Sequence, residues 1–571
     1  MLHHNPMTTH PLLTQAALDA PDYVLIDTPN ALADWIPRLA QSDTALGIDT
    51  ETNGDNPRQH QVCLIQLGVV GLPIGLIDIR HMTLADLQPL AALLQQPRLK
   101  LFQNGKFDLK MLTAMGLPVR GPYFDTLLAS RVLRGGQADA HGLGDLVQFY
   151  LKLTMDKGEQ TSFLTLGDDP LTPSQCRYAA RDVTVLHPLW AVQVTALRQR
   201  QRDQVIAALE SQLLPVLVGM ELRGFDIDTA ALQRLTQQTA VLLEDAKQTV
   251  LRHLCPDADR PLSLFGGQSS SRALNLNSAA AVRDALEAIG LDGEDTPKAL
   301  LKQAHKHPAV KALLDYRYRV RQQTWLKKLR DGVTDGRVYV TYNQCPRQHG
   351  RLEHSFKWEQ WPQPLDILTL CQPIPRTSLL WFDCRRLPLQ LLAHAADDER
   401  FGPHVGHLEA ATLEYSIAMG CGVYGYRAAS LQQWLWEQGH TVILAAATRY
   451  ANDFFKTYAG VTRYHQMVKA SDFYKPTVMG RYRRLEVPGQ RPALSDRLSQ
   501  IVLTGASDGL KQVLVALPDS VTPLLASASG LLVACPPALR SECQAVVQTS
   551  LHQLCPLATV RCHEHHPAPT G

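Results

Sequence analysis

Three short stretches of this sequence carry carboxylates at spacings that could hold a divalent cation. The first is Gly47-Ile48-Asp49-Thr50-Glu51-Thr52. Residues i and i+2 of a strand point to one face, so Asp49 and Glu51 converge at a strand end. A divalent cation relieves the repulsion between two carboxylates held that way. Taken alone, such a pair is common and says little. The second is Asp108, in Phe102-Gln103-Asn104-Gly105-Lys106-Phe107-Asp108 after a short β-rich run. By itself it would equally cap a helix N-terminus. The third is Tyr178 with Asp182, whose i, i+4 spacing puts both on one helix face. An ordinary polar face would explain that pair as well.

The elements that must position these residues are legible around them. Ala45–Glu51, Val62–Val70 and Pro73–Ile79 read as strands separated by turn signals, and Lys100–Gln103 as a shorter one. Leu84–Leu94, Lys106–Met115 and Phe124–Leu133 read as helices, and Arg177–Gln199 as one long closing helix. This is an α/β unit with helices packed on a mixed sheet. From about residue 204 long amphipathic helices take over, at Val205–Arg223 and Ala230–His253. Residues 261–271 form a Gly/Ser-rich break. Residues 278–330 are again helical, Val338–Tyr342 reads as a strand, and a second α/β region starts near Leu379. The tail, 562–571, with His563, His565 and His566 beside two prolines, reads as a disordered end rather than a metal site.

Taken together, Asp-x-Glu, Asn-x-Lys-Phe-Asp and Tyr-x-x-x-Asp occur in that order on fitting elements. The pattern resembles the tyrosine branch of the Asp-Glu-Asp-Asp exonucleases, the domain of DNA polymerase I proofreading and of ribonuclease D. Leu64-Ile65-Gln66-Leu67, the run 124–129 and the run 156–162 extend the likeness over roughly 38–200. It implies a ribonuclease H-like fold and a 3′→5′ exonuclease using two Mg²⁺ or Mn²⁺ ions. Asp49, Glu51 and Asp182 would hold the ion that activates water, and Asp49 with Asp108 the ion at the leaving oxygen. Tyr178 would orient the attacking water. The histidine branch would have His at position 177, where this chain has Arg177. Asn104, Lys106 and Phe107 are expected at the terminal nucleotide.

The rest of the chain resembles the thumb, palm and fingers of family A DNA polymerases. The likeness runs through 213–228, 274–278, 307–317, 336–344 and 349–352, and weakens towards the C-terminus. In the first palm motif, 381–394, Asp383 takes the metal position. In the second, within 524–536, Ser529 and Gly530 stand where the family has Asp and Glu. In the fingers Tyr424-Gly425 is kept, but Ser416 replaces the triphosphate lysine and Gly420 the stacking aromatic. A neutral hydroxyl is a poor ligand for a hard cation. The expectation is therefore a catalytically dead polymerase module that still cradles DNA, with Arg351 and Arg481 on phosphates.

The expected domains are an N-terminal extension (1–37), an exonuclease (38–203) and a polymerase-like module (204–571). At 571 residues more than one core is expected. The net charge of +2 excludes a strongly basic nucleic-acid coat but not local patches. Eleven scattered Cys with no Cys-x-x-Cys pair read as thiols in a reducing compartment. No membrane span, secretory signal or membrane partner is read, so the expected setting is cytoplasmic. The partners implied are single-stranded 3′ ends and primed duplex DNA. The exonuclease motifs act on either polymer, so RNA stands as an alternative substrate. Two other readings stand beside the leading one: an active proofreading polymerase, and an accessory scaffold whose dead palm docks a protein.

Overall fold

The computed structural model describes residues 13–135, 140–155, 158–159, 161–255, 274–291, 300, 307–346, 350–356, 367–471, 477–482 and 493–565. The break expected at 261–271 and part of the run 156–162 lie outside these residues. The N-terminal part is built on one six-stranded mixed sheet. Its strands are β1 (Tyr23–Ile26), β2 (Leu46–Thr52), β3 (Val62–Gly68), β4 (Ile74–Asp78), β5 (Lys100–Phe102) and β6 (Tyr123–Asp125), in the order β1-β4-β3-β2-β5-β6. The carboxylate strand β2 is interior, antiparallel to β3 and parallel to β5. The near-continuous apolar run of β3 is buried along its whole length, as a strand covered on both faces requires. Helices Pro29–Ala40 and Gln88–Gln95 cover one face through Leu32, Trp35, Leu90 and Leu94. Helices Pro173–Thr184 and Leu186–Arg198 cover the other through Ala179, Val183 and Trp190.

Two paired glycines set how closely that second layer sits. Gly47 of β2 lies opposite Gly68 of β3, and Val183 packs onto both. A Cβ added at Gly68 would lie 2.6 Å from the Val183 side chain, and one at Gly47 3.1 Å from it. The helix carrying Tyr178 and Asp182 can therefore approach β2 only because neither glycine has a side chain.

Several expectations change. The sheet begins at Tyr23, because β1 pairs with β4; it thus lies within what the sequence suggested was an extension ending at residue 37. The expected helix 177–199 is two helices meeting at Val185. The first residues of the expected tail form a strand: Arg561–His565 pairs with Ser378–Asp383, and 566–571 lie outside the described residues. An edge strand with charges on both faces has no period-2 signal to find. The 23-residue helix Gln201–Arg223 contains a stretch, Asp203–Arg223, that is long and apolar enough to cross a membrane. Here it is mostly buried as the joint between the two parts, and it carries the buried Glu210 and Glu221. All eleven cysteines are unpaired.

The C-terminal part centres on a four-stranded antiparallel sheet, in the order Thr522–Ser527, Gly530–Cys535, Ser378–Asp383, Arg561–His565. Helices Leu387–Ala396, Leu494–Ala516 and Arg540–Leu554 pack on it in one large core.

Candidate active site

Asp49, Glu51 and Asp182 come together at the end of β2, with one ligand oxygen from each lying within 4.8 Å of the others. All three keep a partly open edge. Packing these carboxylates together out of water makes ionisation costly. Burial pushes Asp49 up to about 7. Burial, then the charges of Asp49, Asp182 and Asp108, push Glu51 up to about 10. Asp182 is driven well above the ordinary carboxylate range by burial and by Asp49, although the Tyr178 hydroxyl donates a hydrogen bond to it. A set whose ionisation is costly without a counter-charge is suited to cations.

Asp108 approaches from the first turn of helix Lys106–Ala114 and is 2% exposed. It stands outside the group of three: its carboxylate accepts from the Thr50 hydroxyl at 2.7 Å. Burial first, then Asp49, raise its pKa well above the ordinary value. The four carboxylates read from the sequence thus converge as three plus one. Burial, then the facing Asp182, Glu51 and Asp49, raise the pKa of Tyr178 above its ordinary value and favour its protonated form.

Residues that the sequence did not single out hold this geometry. Gln66, opposite Asp49 in the β2–β3 register, is fully buried and reaches Glu51 at 3.5 Å. Asp125 caps helix Thr126–Arg134 and also accepts from the backbone of Asn104 (3.3 Å) and Gly105 (2.7 Å). It therefore fixes the turn from which Asp108 emerges, where Asn104 takes φ 62°. Arg80 binds Asp78 at 2.6 Å and the Asp169 carbonyl at 2.9 Å, tying down the approach to helix Pro173–Thr184. Phe163 is buried with its ring 6.2 Å from Tyr178.

Of the residues expected at the terminal nucleotide, Asn104 is exposed and Phe107 half-buried. Lys106 is a correction. Its ammonium is held by Glu221 and by the Tyr342 carbonyl, at the seam with the second part. Arg481, expected on a phosphate, is 6% exposed and bound to Asp508 (2.7 Å) and Glu210 (2.5 Å). Both sequence assignments failed because a lone cation reads the same whether it meets a phosphate or a buried carboxylate. Arg351 lines a second cavity, with its Nε 3.3 Å from Thr504.

That cavity, of about 490 Å³, also takes in Ser416, Tyr424 and Ser529. Asp383, next in sequence to the lining residues Cys384 and Arg385, pairs in register with Gly530 on one side and Arg561 on the other. Both Asp383 oxygens are taken by the Arg385 guanidinium, at 2.9 and 2.6 Å, and the Arg385 amide adds a third bond at 3.0 Å. The turn facing it has only hydroxyls, Ser527 and Ser529, 2.9 Å apart. A Cβ on Gly530 would meet the Phe382 carbonyl at 2.3 Å and the Trp381 ring at 2.5 Å. A second carboxylate there needs the sheet to shift. Ser416 is 2% exposed and donates to Thr412 at 3.0 Å, with His440 Nε2 at 3.1 Å. The space above Gly420 is filled by Trp434, 2.7 Å from where a Cβ would stand. The Trp434 ring lies 5.1 Å from Tyr424, which stacks on Tyr426.

Residues 23–192 match the 3′-5′ exonuclease domain family of the A-type DNA polymerases. The N-terminal part is thus a 3′-5′ exonuclease domain, a mixed-sheet fold with its acidic cluster at the end of β2. Over about two thirds of its length the chain is similar to DNA polymerase I: that of Chloroflexus aurantiacus is 26% identical over 422 residues, 67% of this chain and 42% of that protein. Ribonuclease D of Acidiphilium cryptum is 33% identical over 171 residues, 30% of this chain and 42% of that one. Among solved structures, the POL domain of Pol1 from M. smegmatis, in complex with DNA primer-template and dNTP, aligns with TM-score 0.71 at 18% identity. It covers 94% of this chain and 98% of that one, so the fold is shared from end to end. The chain spans about half the length of the DNA polymerase I relatives it matches, 42%, 56% and 45% of each.

Proposed function

We propose that this chain is a divalent-metal-dependent 3′→5′ exonuclease acting on DNA in the cytoplasm, joined to a polymerase-shaped module that no longer polymerises. The observation that carries the nuclease reading is the convergence of Asp49, Glu51 and Asp182, with Asp108 approaching from the far side. These hard oxygen donors fit Mg²⁺ or Mn²⁺. When bound, two such ions supply an activated water and neutralise the leaving 3′-oxygen. Asp49, Glu51 and Asp182 would hold one, and Asp49 with Asp108 the other, the Thr50 hydroxyl steadying one Asp108 oxygen. The chain's own part is to fix these oxygens and to orient the nucleophile. Tyr178 serves the latter as a neutral hydrogen-bonding hydroxyl, the form that burial and the facing carboxylates favour. Tyr178→Phe should lower the hydrolysis rate about 10²-fold with little change in metal affinity. Single-turnover rates beside a Mn²⁺ titration measure both; a rate equal to wild type would remove Tyr178 from the chemistry.

The inactive-polymerase reading is supported by Arg385 on Asp383, by Ser529 and Gly530 opposite, and by Ser416 in the fingers. One assay tests both halves: labelled single strands, primed duplexes and RNA, with Mg²⁺ and all four dNTPs. The expected outcome is shortening of DNA from the 3′ end and no extension. Asp383-dependent extension would overturn the second half alone. RNA shortened faster than DNA would favour the ribonuclease D side of the likeness.

A further inference from the structure

We infer that Glu221, on the helix that joins the two parts, is a positioning residue for the cation at Asp108, a role that rests on the nuclease reading above. Through Lys106 and Lys110 it sets the attitude of the helix that presents Asp108, so the polymerase-shaped part governs how well that cation is held. The argument starts from spacing. Lys106 and Lys110 are i and i+4 on helix Lys106–Ala114 and share one face. Asp108, two residues on from Lys106, lies about 200° round the axis at 3.6 residues per turn. The lysines therefore meet Glu221 on one side, while Asp108 meets the Thr50 hydroxyl of β2 at 2.7 Å on the other. A turn of the helix about its axis at the lysine face moves the Asp108 carboxylate across the end of β2.

The grip itself is buried and shared. The Glu221 side chain is 2% exposed. It accepts from Lys106, from Lys110 at 3.3 Å and from the Tyr342 amide at 2.9 Å. Lys106 also donates to the Tyr342 carbonyl. Tyr342 is itself buried, and its hydroxyl accepts from the Ala526 amide at 3.1 Å, in strand Thr522–Ser527 of the second part's central sheet. Contacts thus run from that sheet to the helix bearing Asp108. A second set reaches the other side of the site. Arg58, in the loop that leaves β2 after Glu51, lies over the Tyr339 ring at 3.2 Å and donates to the Glu221 carbonyl at 3.2 Å. Glu221 and its neighbours therefore hold both segments that flank the cation positions. Helix Lys106–Ala114 has no side-chain cap at Gly105 and follows Asn104 at φ 62°. Its attitude is set from outside, by Asp125 on the entering turn and by Glu221 on the lysine face. Metal ligands must be held to within about 0.5 Å, so such supports act on the metal.

The test is a Mn²⁺ titration of the full chain followed by electron paramagnetic resonance, which needs no turnover. Wild type should bind a tighter and a weaker ion. Glu221→Gln keeps an acceptor for the Tyr342 amide but loses the charge that holds the lysines. It should weaken one ion roughly ten-fold, the usual effect of removing a group behind a metal ligand, and leave the other unchanged. Asp108→Asn should weaken the same ion at least as much. Adding Glu221→Gln to Asp108→Asn should cost nothing further, because Glu221 acts through Asp108. Lys106→Gln, which leaves Glu221 on Lys110, should reproduce part of the loss and keeps the test open where Glu221→Gln does not fold. The Mg²⁺ concentration for half-maximal hydrolysis should rise in step, with the KM for single-stranded DNA unmoved. Variants that bind both ions as wild type does, that weaken both ions equally, or whose losses add to that of Asp108→Asn would overturn the role and leave Glu221 a packing residue. A wild type that binds the ions while Glu221→Gln changes nothing sinks this role and leaves the nuclease reading standing. A wild type that binds no ion sinks both.

Discussion

The double substitution Asp49→Ala/Glu51→Ala should abolish 3′→5′ degradation and, without metal, make the protein more stable. The activity loss should be roughly 10³-fold or more, because residues that bind metal as a unit fail as a unit. The stability gain follows from the same geometry. In the metal-free fold, burial holds Asp49 up at about 7, and burial with the neighbouring carboxylate charges holds Glu51 up at about 10. In the unfolded chain both titrate near the ordinary carboxylate value. Between those limits the folded protein binds protons that the unfolded chain does not. Stability is therefore highest below the unfolded pKa and falls as pH rises through the folded values. Thermal melting in EDTA at a series of pH values should show wild type losing stability from about pH 5 upwards, with the variant, which keeps the buried Asp108 and Asp182, losing less. Adding Mg²⁺ should stabilise wild type increasingly at higher pH, because metal displaces protons, and should leave the variant unmoved. A variant less stable than wild type at high pH in EDTA would mean that the carboxylates serve packing instead of cation binding. Residual degradation at the wild-type rate would refute the site.

The site itself was legible because its residues sit at spacings with direct geometric meaning. Asp49 and Glu51 on a strand, and Tyr178 and Asp182 on a helix, need no tertiary information to be placed on one face. What brings the two pairs together was not legible. It depends on Gly47 and Gly68 lying opposite each other under Val183, which is a matter of register. Asp125 and Gln66 were missed for the same reason: their partners are 15 to 21 residues away in sequence. In the second part the sequence drew attention to Ser416, Gly420 and Ser529, where the resemblance leads one to expect a charge or a ring. It did not show what surrounds them. Arg385 lies two residues from Asp383 but reads as an ordinary surface arginine until its guanidinium is seen on both oxygens. Trp434 reads as one aromatic of an amphipathic helix. The strand Arg561–His565 and β1 were missed because short edge strands carry little periodic signal.

Glu210→Ala should be the most destabilising single substitution in the chain, by about 3–5 kcal/mol, the cost of breaking a buried ion pair from one side. Glu210 lies on the joint helix Gln201–Arg223 and is fully buried. It accepts from Arg481 and from Lys511, each at 2.5 Å, and from Gln344 at 2.9 Å. Arg481 is also bound by Asp508 at 2.7 Å, and Lys511 by the Gly350 carbonyl at 2.8 Å. Two cations face two anions, so the cluster is neutral only while Glu210 is ionised. Burial pushes its carboxyl up, but Lys511 and Arg481 outweigh burial and hold it below its ordinary value. A depressed carboxylate stabilises above its unfolded pKa, and that contribution is lost as pH falls through the folded value. Glu210→Ala leaves two buried cations against Asp508 alone. Adding Lys511→Met should recover part of the loss by restoring neutrality. Urea melts of the single and double variants measure this, and a double variant that is no better than the single would show that cavity formation, not charge, dominates. The helix also packs on Lys106–Ala114 and Thr126–Arg134 of the exonuclease, and Lys106 and Lys110 bind its Glu221. Loosening Glu210 should therefore split a single unfolding transition into two, as the polymerase-shaped part stops supporting the helix that the nuclease leans on.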